Sequence, residues 1–488
     1  MSFLDEKTIN SHLQNFQSNT KQVMDAIPKK YKTNGELIAS PRSAFSDKDI
    51  KAKRYINARD TVRDIVQKHE EVAEDRAAFL SNDLPEKLCD RFKYDTLTAI
   101  ESADLMAAAL PVQPWSDDYW AIYNGILGNR YADPAYPSSK DWKTNFDYIR
   151  QNDAKDIFYN SGSAAKIDML SPSEKYDALV GDRTGTLTRR MWQEGRRYYE
   201  ASGEVEEWMG ICHGWAPAAY MLDRPVGTAI VTAPNNYPIT FYPSDIKALA
   251  TLLWANINTP SRFVGGRCND KSPEQDPNTG RIISSRCFDN NPATWHLAVV
   301  NQIGLSQRSF VLDVTYDYEV WNQPVYSYRY RYFNPQLMQY VNTLSEATVN
   351  MRRFSNDKFS QYRSSATHSV VGIAMEVSYL VETKPSHAKV DTPANDAITT
   401  VTYYYDLELD SKDTIIGGEW YQNAHPDFLW TPVPNQQART QYDYLATGAW
   451  QSNRPMPRIW QHAAQQASAN QSAPLGKIVE RLIQLSQM

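Results

Sequence analysis

The stretch from Phe310 to Tyr332 limits the fold more than any other part of the chain. Its Val, Tyr and Arg residues alternate as a pleated, half-buried surface requires, which predicts a twisted antiparallel sheet. One strand cannot stand alone, and the sequence supplies partners. Strand-like runs lie at Ser261 to Gly265 and Thr294 to Val300, a short one at Val226 to Thr232, and two more between Val370 and Leu409, parted by Pro385 and the polar segment His387 to Asn395.

The rest of the pattern is helical. Apolar residues at three- and four-residue spacing predict amphipathic helices over Ser46 to Arg76 and Pro85 to Leu110. Further helices are expected at Leu187 to Ser202, from Cys212 onward, at Ser244 to Ala255, Gln336 to Arg352 and Gly476 to Gln487. A Trp- and Tyr-rich stretch, Pro111 to Tyr159, is broken by Pro134 and Pro137, with Asp117 placed to cap a helix starting near Tyr119. Helices first and strands later give an α+β chain in three parts: a helical region 1–160, a mixed region 161–360, and a strand-rich portion 361–488 with a terminal helix.

At 488 residues, 42% hydrophobic and 22% charged, the chain has ample material for a core. Its net charge is -6 with both signs interspersed, so no basic stripe marks a nucleic-acid partner. The longest apolar run, Val370 to Val381, carries Glu376 and is too short to span a bilayer. The opening MSFLDEKTINSHLQNF lacks the apolar core of a secretory leader. Four cysteines make no disulfide scaffold and no zinc pair. Cys268 and Cys287, however, bracket a Pro-, Asn- and Asp-rich loop that a disulfide would close with profit in an exported enzyme.

Acyl transfer from a carboxamide needs a soft nucleophile, a base, and a group that orients the base. Cys212 follows Gly210 at a loop-to-helix transition, in Trp208-Met209-Gly210-Ile211-Cys212-His213-Gly214-Trp215. A helix N-terminus favours a thiolate and aims backbone N–H groups at an oxyanion, which lifts Cys212 above a mere buried hydrophobe. His213 is adjacent, but successive helical side chains diverge by about 100°. His296 opens an apolar run read as a strand, and Asp313 lies seventeen positions later on a run read as its antiparallel neighbour, with Asp317 a rival orienter.

The order Cys, His, Asp resembles the transglutaminase-core superfamily. Pro260-Ser261-Arg262-Phe263-Val264-Gly265-Gly266 and Asp313-Val314-Thr315 are similar to two of its signatures. Gly210 to Trp215, together with Val320-Trp321-Asn322-Gln323-Pro324-Val325, resembles more closely the transglutaminase elicitor family of plant-pathogenic oomycetes, which has bacterial members. The likeness extends to Ile416 to Tyr421 and to His425-Pro426-Asp427-Phe428-Leu429-Trp430, but departs after Val325 at Tyr326-Ser327-Tyr328-Arg329-Tyr330.

The resemblance implies a papain-like transglutaminase core within 161–360, its nucleophile helix packed on an antiparallel sheet and completed by 361–488. It implies a thioester at Cys212, with His296 and Asp313 as base and orienter, and protein partners supplying glutamine and lysine. Trp208, Trp215 and Trp295 would wall the site and exclude water. Export as an effector is implied as well. Some transglutaminases require calcium, and Asp270, Glu274 and Asp276 could supply oxygen ligands, although their spacing is not that of an EF-hand and a solvated loop is the plainer reading. A cysteine protease, amidase or glutamine deamidase would use the same groups. An effector that acts mainly by binding would keep them as a scaffold, and the separate composition of the helical third fits an inhibitory segment.

Overall fold

The computed structural model describes residues 4–38, 83–266, 273–314 and 320–488. They form two compact units, each assembled from three separated stretches. The first is Met1–Gln113, Ser261–Leu380 and Ile398–Pro434; the second is Pro114–Pro260, Val381–Ala397 and Asn435–Met488. The whole is a mixed α+β fold with one large antiparallel sheet.

Strands in chain order are β1 (Lys30–Lys32), β2 (Ala107–Ala109), β3 (Ala229–Thr232), β4 (Pro238–Phe241), β5 (Ser261–Gly265), β6 (Val311–Asp313) and β7 (Asn322–Asn334). They continue with β8 (Gln339–Val341), β9 (Thr348–Asn350), β10 (Ser369–Val381), β11 (Ala397–Leu409), β12 (Ile415–Trp420) and β13 (Phe428–Pro432). All but β3 and β4 join the large sheet of the first unit, in the order β1-β11-β10-β7-β6-β13-β5.

Alternation decides which side of β7 is buried. Tyr328, Tyr330 and Tyr332 point inward, while Arg329 and Arg331 face outward, where Arg329 pairs with Glu376 across the β7–β10 register at 2.6 Å. Helix Glu6–Ser18, capped by Asp5, lays Ile9, Leu13 and Phe16 against Phe333, Tyr404 and Tyr421. Tyr405, the next residue along β11, instead meets His296. Period-two pleating therefore gives the sheet two buried faces, one beneath the N-terminal helix and one beneath helix Pro292–Val299.

The second unit is helical, with β3 and β4 as a separate antiparallel pair. Helix Cys212–Met221 packs on helix Pro243–Asn256 so closely that a Cβ at Gly214 would lie 2.2 Å from the Thr251 carbonyl. Of two buried ion pairs, Lys175–Asp245 at 2.8 Å joins helix Pro172–Leu179 to helix Pro243–Asn256, and Arg130–Glu174 at 2.7 Å ties a loop to the first of them.

Several expected elements differ from those observed. Gln336 to Arg352 is not one helix but β8, the short helix Leu344–Ala347 and β9, because Thr343 and Glu346 form a capping box that starts and confines a single turn. In Pro85 to Leu110 only Leu97–Ser102 is α-helical, and Ala107–Ala109 pairs with β7. Asp117 caps nothing: its carboxylate accepts the Trp120 indole N–H at 2.9 Å and the Thr251 hydroxyl at 3.0 Å. The helix expected over Ser46 to Arg76 lies outside the described residues.

Candidate active site

Cys212 is the first residue of its helix and is buried. The turn before it is fixed by contact. A Cβ at Gly210 would sit 2.5 Å from the Tyr119 carbonyl oxygen, and the Ile211 N–H donates to that same oxygen at 2.8 Å. Ile211 occupies the N-cap and has no side-chain oxygen to spend on the first-turn amides. The helix therefore begins at the thiol, where its N-terminal dipole stabilises negative charge and the N-cap residue contributes no side-chain bond.

The three tryptophans differ. Trp215 is fully buried, donating its indole N–H to the Trp115 carbonyl at 2.9 Å, and Trp295 is fully buried among Phe310, Tyr403 and Trp420. Neither offers a face to a substrate. Trp208 is half-buried, with its indole N–H on the Glu206 carboxylate.

His296 lies on a helix, not on the strand that the apolar run suggested. Asn291 caps that helix by accepting the Ala293 N–H at 2.9 Å, and Pro292 occupies its first turn. A run apolar on every side fits a buried helix as well as a strand. The helix carries the imidazole into the tyrosine face of the sheet, with no exposed surface and Nδ1 2.9 Å from the Tyr405 hydroxyl. Nε2 is buried and has no hydrogen-bond partner. Asp313 does not orient this ring: its carboxylate accepts the Trp321 N–H at 3.0 Å. Burial without a carboxylate pushes the His296 pKa down to about 3.

The unfolded chain binds this proton below about pH 6.5 and the folded protein only near 3, so the contribution to stability is intact at neutral pH and is lost as pH falls through that window. At pH 5 the loss is about 2 kcal/mol. Buried Asp117, Asp118, Asp177 and Glu408, each raised to about 7 by burial, act in the opposite sense, so the test is a difference. His296→Phe should reduce the stability lost by the wild type between pH 7.5 and 5 by about 2 kcal/mol in denaturant titrations, and equal losses would refute this origin.

A second buried imidazole has the neighbours that His296 lacks. His425 stands between β12 and β13, its ring stacked on Trp420 at 4.6 Å and 7°. Its Nε2 lies 3.6 Å from the Asp289 carboxylate. Trp420 is itself held by an indole N–H bond to the Asn290 carbonyl at 2.8 Å. Strand β13, which His425 precedes by three residues, runs between β5 and β6, with Phe428 opposite Gly265 and Leu429 opposite Leu312. The imidazole thus heads the strand that joins the Ser261–Gly265 motif strand to the one ending at Asp313. In the sequence this imidazole is marked only by His425-Pro426-Asp427 directly before Phe428-Leu429-Trp430.

Cys89 and Cys212 are free and Cys287 is disulfide-bonded, while Cys268 lies outside the described residues. Asp276 is occupied by protein donors, accepting the amides of Asn278 and Thr279, the Gln361 side chain at 2.7 Å and the Tyr362 hydroxyl. Asp270 and Asp317 are also outside the described residues. Among the described residues no three His, Cys, Asp or Glu side chains gather to hold a metal, and no helix is long and apolar enough to cross a membrane.

The scaffold resembles the crystal structure of the GP42 transglutaminase from Phytophthora sojae, with a TM-score of 0.51 and 20% identity over 81% of this chain and 94% of that one. That likeness concerns the fold. The sequence profile of the transglutaminase elicitor family matches residues 86–444, and the chain belongs to that family. No curated protein matches it.

Proposed function

We propose that the protein is a protein-glutamine γ-glutamyltransferase, with Cys212 as nucleophile and His425, paired with Asp289, as the acid–base group. The observation that carries the reading is Cys212 itself: a cysteine outside any disulfide at the first position of a helix, in a member of the transglutaminase elicitor family. The Cys212 thiolate attacks the γ-carboxamide carbon of a substrate glutamine. The backbone N–H groups at the helix start receive the developing oxyanion. As the C–N bond breaks, the imidazolium gives its proton to the leaving nitrogen, and ammonia departs. A lysine amine then attacks the thioester, the now neutral imidazole takes the amine's proton, the C–S bond breaks, and the thiolate–imidazolium pair returns with an isopeptide bond formed.

His425 takes the role because a carboxylate beside it stabilises the charged ring that this cycle requires, whereas His296, walled in by Tyr330 and Tyr405, resists protonation. Each role follows from the residue's own surroundings. Protein substrates are the partners of this reading, and elicitor membership supports export.

The test is incorporation of a fluorescent primary amine into a glutamine-rich protein, with released ammonia measured alongside. Equal amine incorporation and ammonia release are expected. Ammonia without incorporation would mean a deamidase, and peptide cleavage without ammonia a protease; either would overturn the proposal.

A further inference from the structure

We propose that the helical unit binds a small organic carboxylate with a flat apolar body, in a cleft apart from Cys212. The cleft, about 420 Å³, lies among helices Trp142–Gln151, Ala154–Asn160, Pro172–Leu179 and Thr186–Ser202, and falls within the usual range for small-molecule sites. Phe146, Phe158, Tyr159 and Trp192 give it an aromatic lining. Neither Cys212 nor any of the three tryptophans beside the sequence motifs reaches it.

Its charges are unequally engaged. Each of the four lining carboxylates already serves a protein donor. Asp153 caps a helix at the Lys155 amide, Asp182 accepts from Thr184 and Thr186, Glu174 holds Arg130, and Asp177 takes the Leu187 and Thr188 amides. Arg150, Arg183 and Lys155 are exposed at the cleft and make no salt bridge among the described residues. Three guanidiniums are already poised over rings, Arg183 4.4 Å from the centroid of Tyr159, and Arg196 and Arg150 4.9 and 6.0 Å from that of Phe146. Aromatic walls with unpaired cations at the opening fit a ligand whose body is apolar and planar and whose one polar end is a carboxylate, which a guanidinium fork matches in shape as well as charge.

The probe is naphthoate, titrated calorimetrically into the full-length protein and followed in parallel by tryptophan fluorescence. Saturable one-to-one binding is expected. The double variant Arg150→Gln/Arg183→Gln, altered only at exposed side chains, should weaken it by about tenfold or more, and neutral naphthylmethanol should bind the wild type at least about tenfold more weakly than naphthoate. Trp192→Phe should remove the ligand-dependent fluorescence change while the calorimetric signal remains. Absence of saturable binding, an affinity unchanged in the double variant, or equal affinity for the alcohol would each overturn the proposal. Circular dichroism of the double variant separates loss of the site from loss of the fold.

Discussion

Cys212→Ala is expected to bring amine incorporation and ammonia release together below detection, a fall on the order of 10⁶-fold, because without the sulfur no thioester can form. The fold should survive. Alanine is the best helix former, the lost atom is one sulfur at a helix start, and Gly214 still seats the helix on Thr251 and Ala255. Two companion variants separate the imidazoles. His425→Gln should cost about 10²–10⁴ in turnover, the usual worth of a positioned acid–base group, and flatten the acid limb of the pH–rate profile. His296→Phe should leave turnover within about a few-fold, since that ring contacts Tyr405 and Tyr330 and stays uncharged at working pH. Full activity in Cys212→Ala would end the nucleophile assignment. A folded, inactive His296→Phe beside an active His425→Gln would return the base to the position the sequence first suggested.

How much of this was legible depended on whether a local pattern had one physical solution. Ser261 to Gly265, Leu187 to Ser202 and the helix starting at Cys212 were readable because periodicity, glycine placement and flanking breaks agreed, and the structure has all three. Thr294 to Val300 misled because an entirely apolar stretch carries no period; only the Asn291-Pro292 cap distinguished helix from strand. That one difference moved His296 from the end of a strand to a wholly buried place on a helix and left Asp313 serving the Trp321 amide. The pairing of His425 with Asp289 spans 136 positions and depends on β13 running between β5 and β6, an order that no local pattern encodes. The cleft of the helical unit was equally invisible, since its cations stand out only once the carboxylates around them are seen to be engaged.

The other large effect should appear in stability. Arg363 is almost wholly buried and lies 2.5 Å from Asp406, 3.0 Å from Asp357 and 3.3 Å from Glu408, so one guanidinium neutralises three buried carboxylates. The Glu408 carboxyl is raised to about 7 by burial even with the cation present. Arg363→Met keeps much of the volume and removes the charge, leaving three acids that must repel one another or protonate. The variant should be less stable by about 3–5 kcal/mol at pH 7.5 in denaturant titrations. Raised carboxyl pKa values in its folded state mean that the folded protein binds more protons than the unfolded chain between about pH 4 and 7. The deficit should therefore shrink as pH falls, to about half or less by pH 5. Adding Asp406→Asn should recover part of the loss at pH 7.5, because one of the stranded charges is gone while the amide oxygen still accepts the Glu419 N–H and the amide NH2 can donate to the Tyr421 hydroxyl. A deficit below about 1 kcal/mol, or one independent of pH, would mean that water reaches these carboxylates and that the cluster is not the electrostatic anchor of the β11 strand.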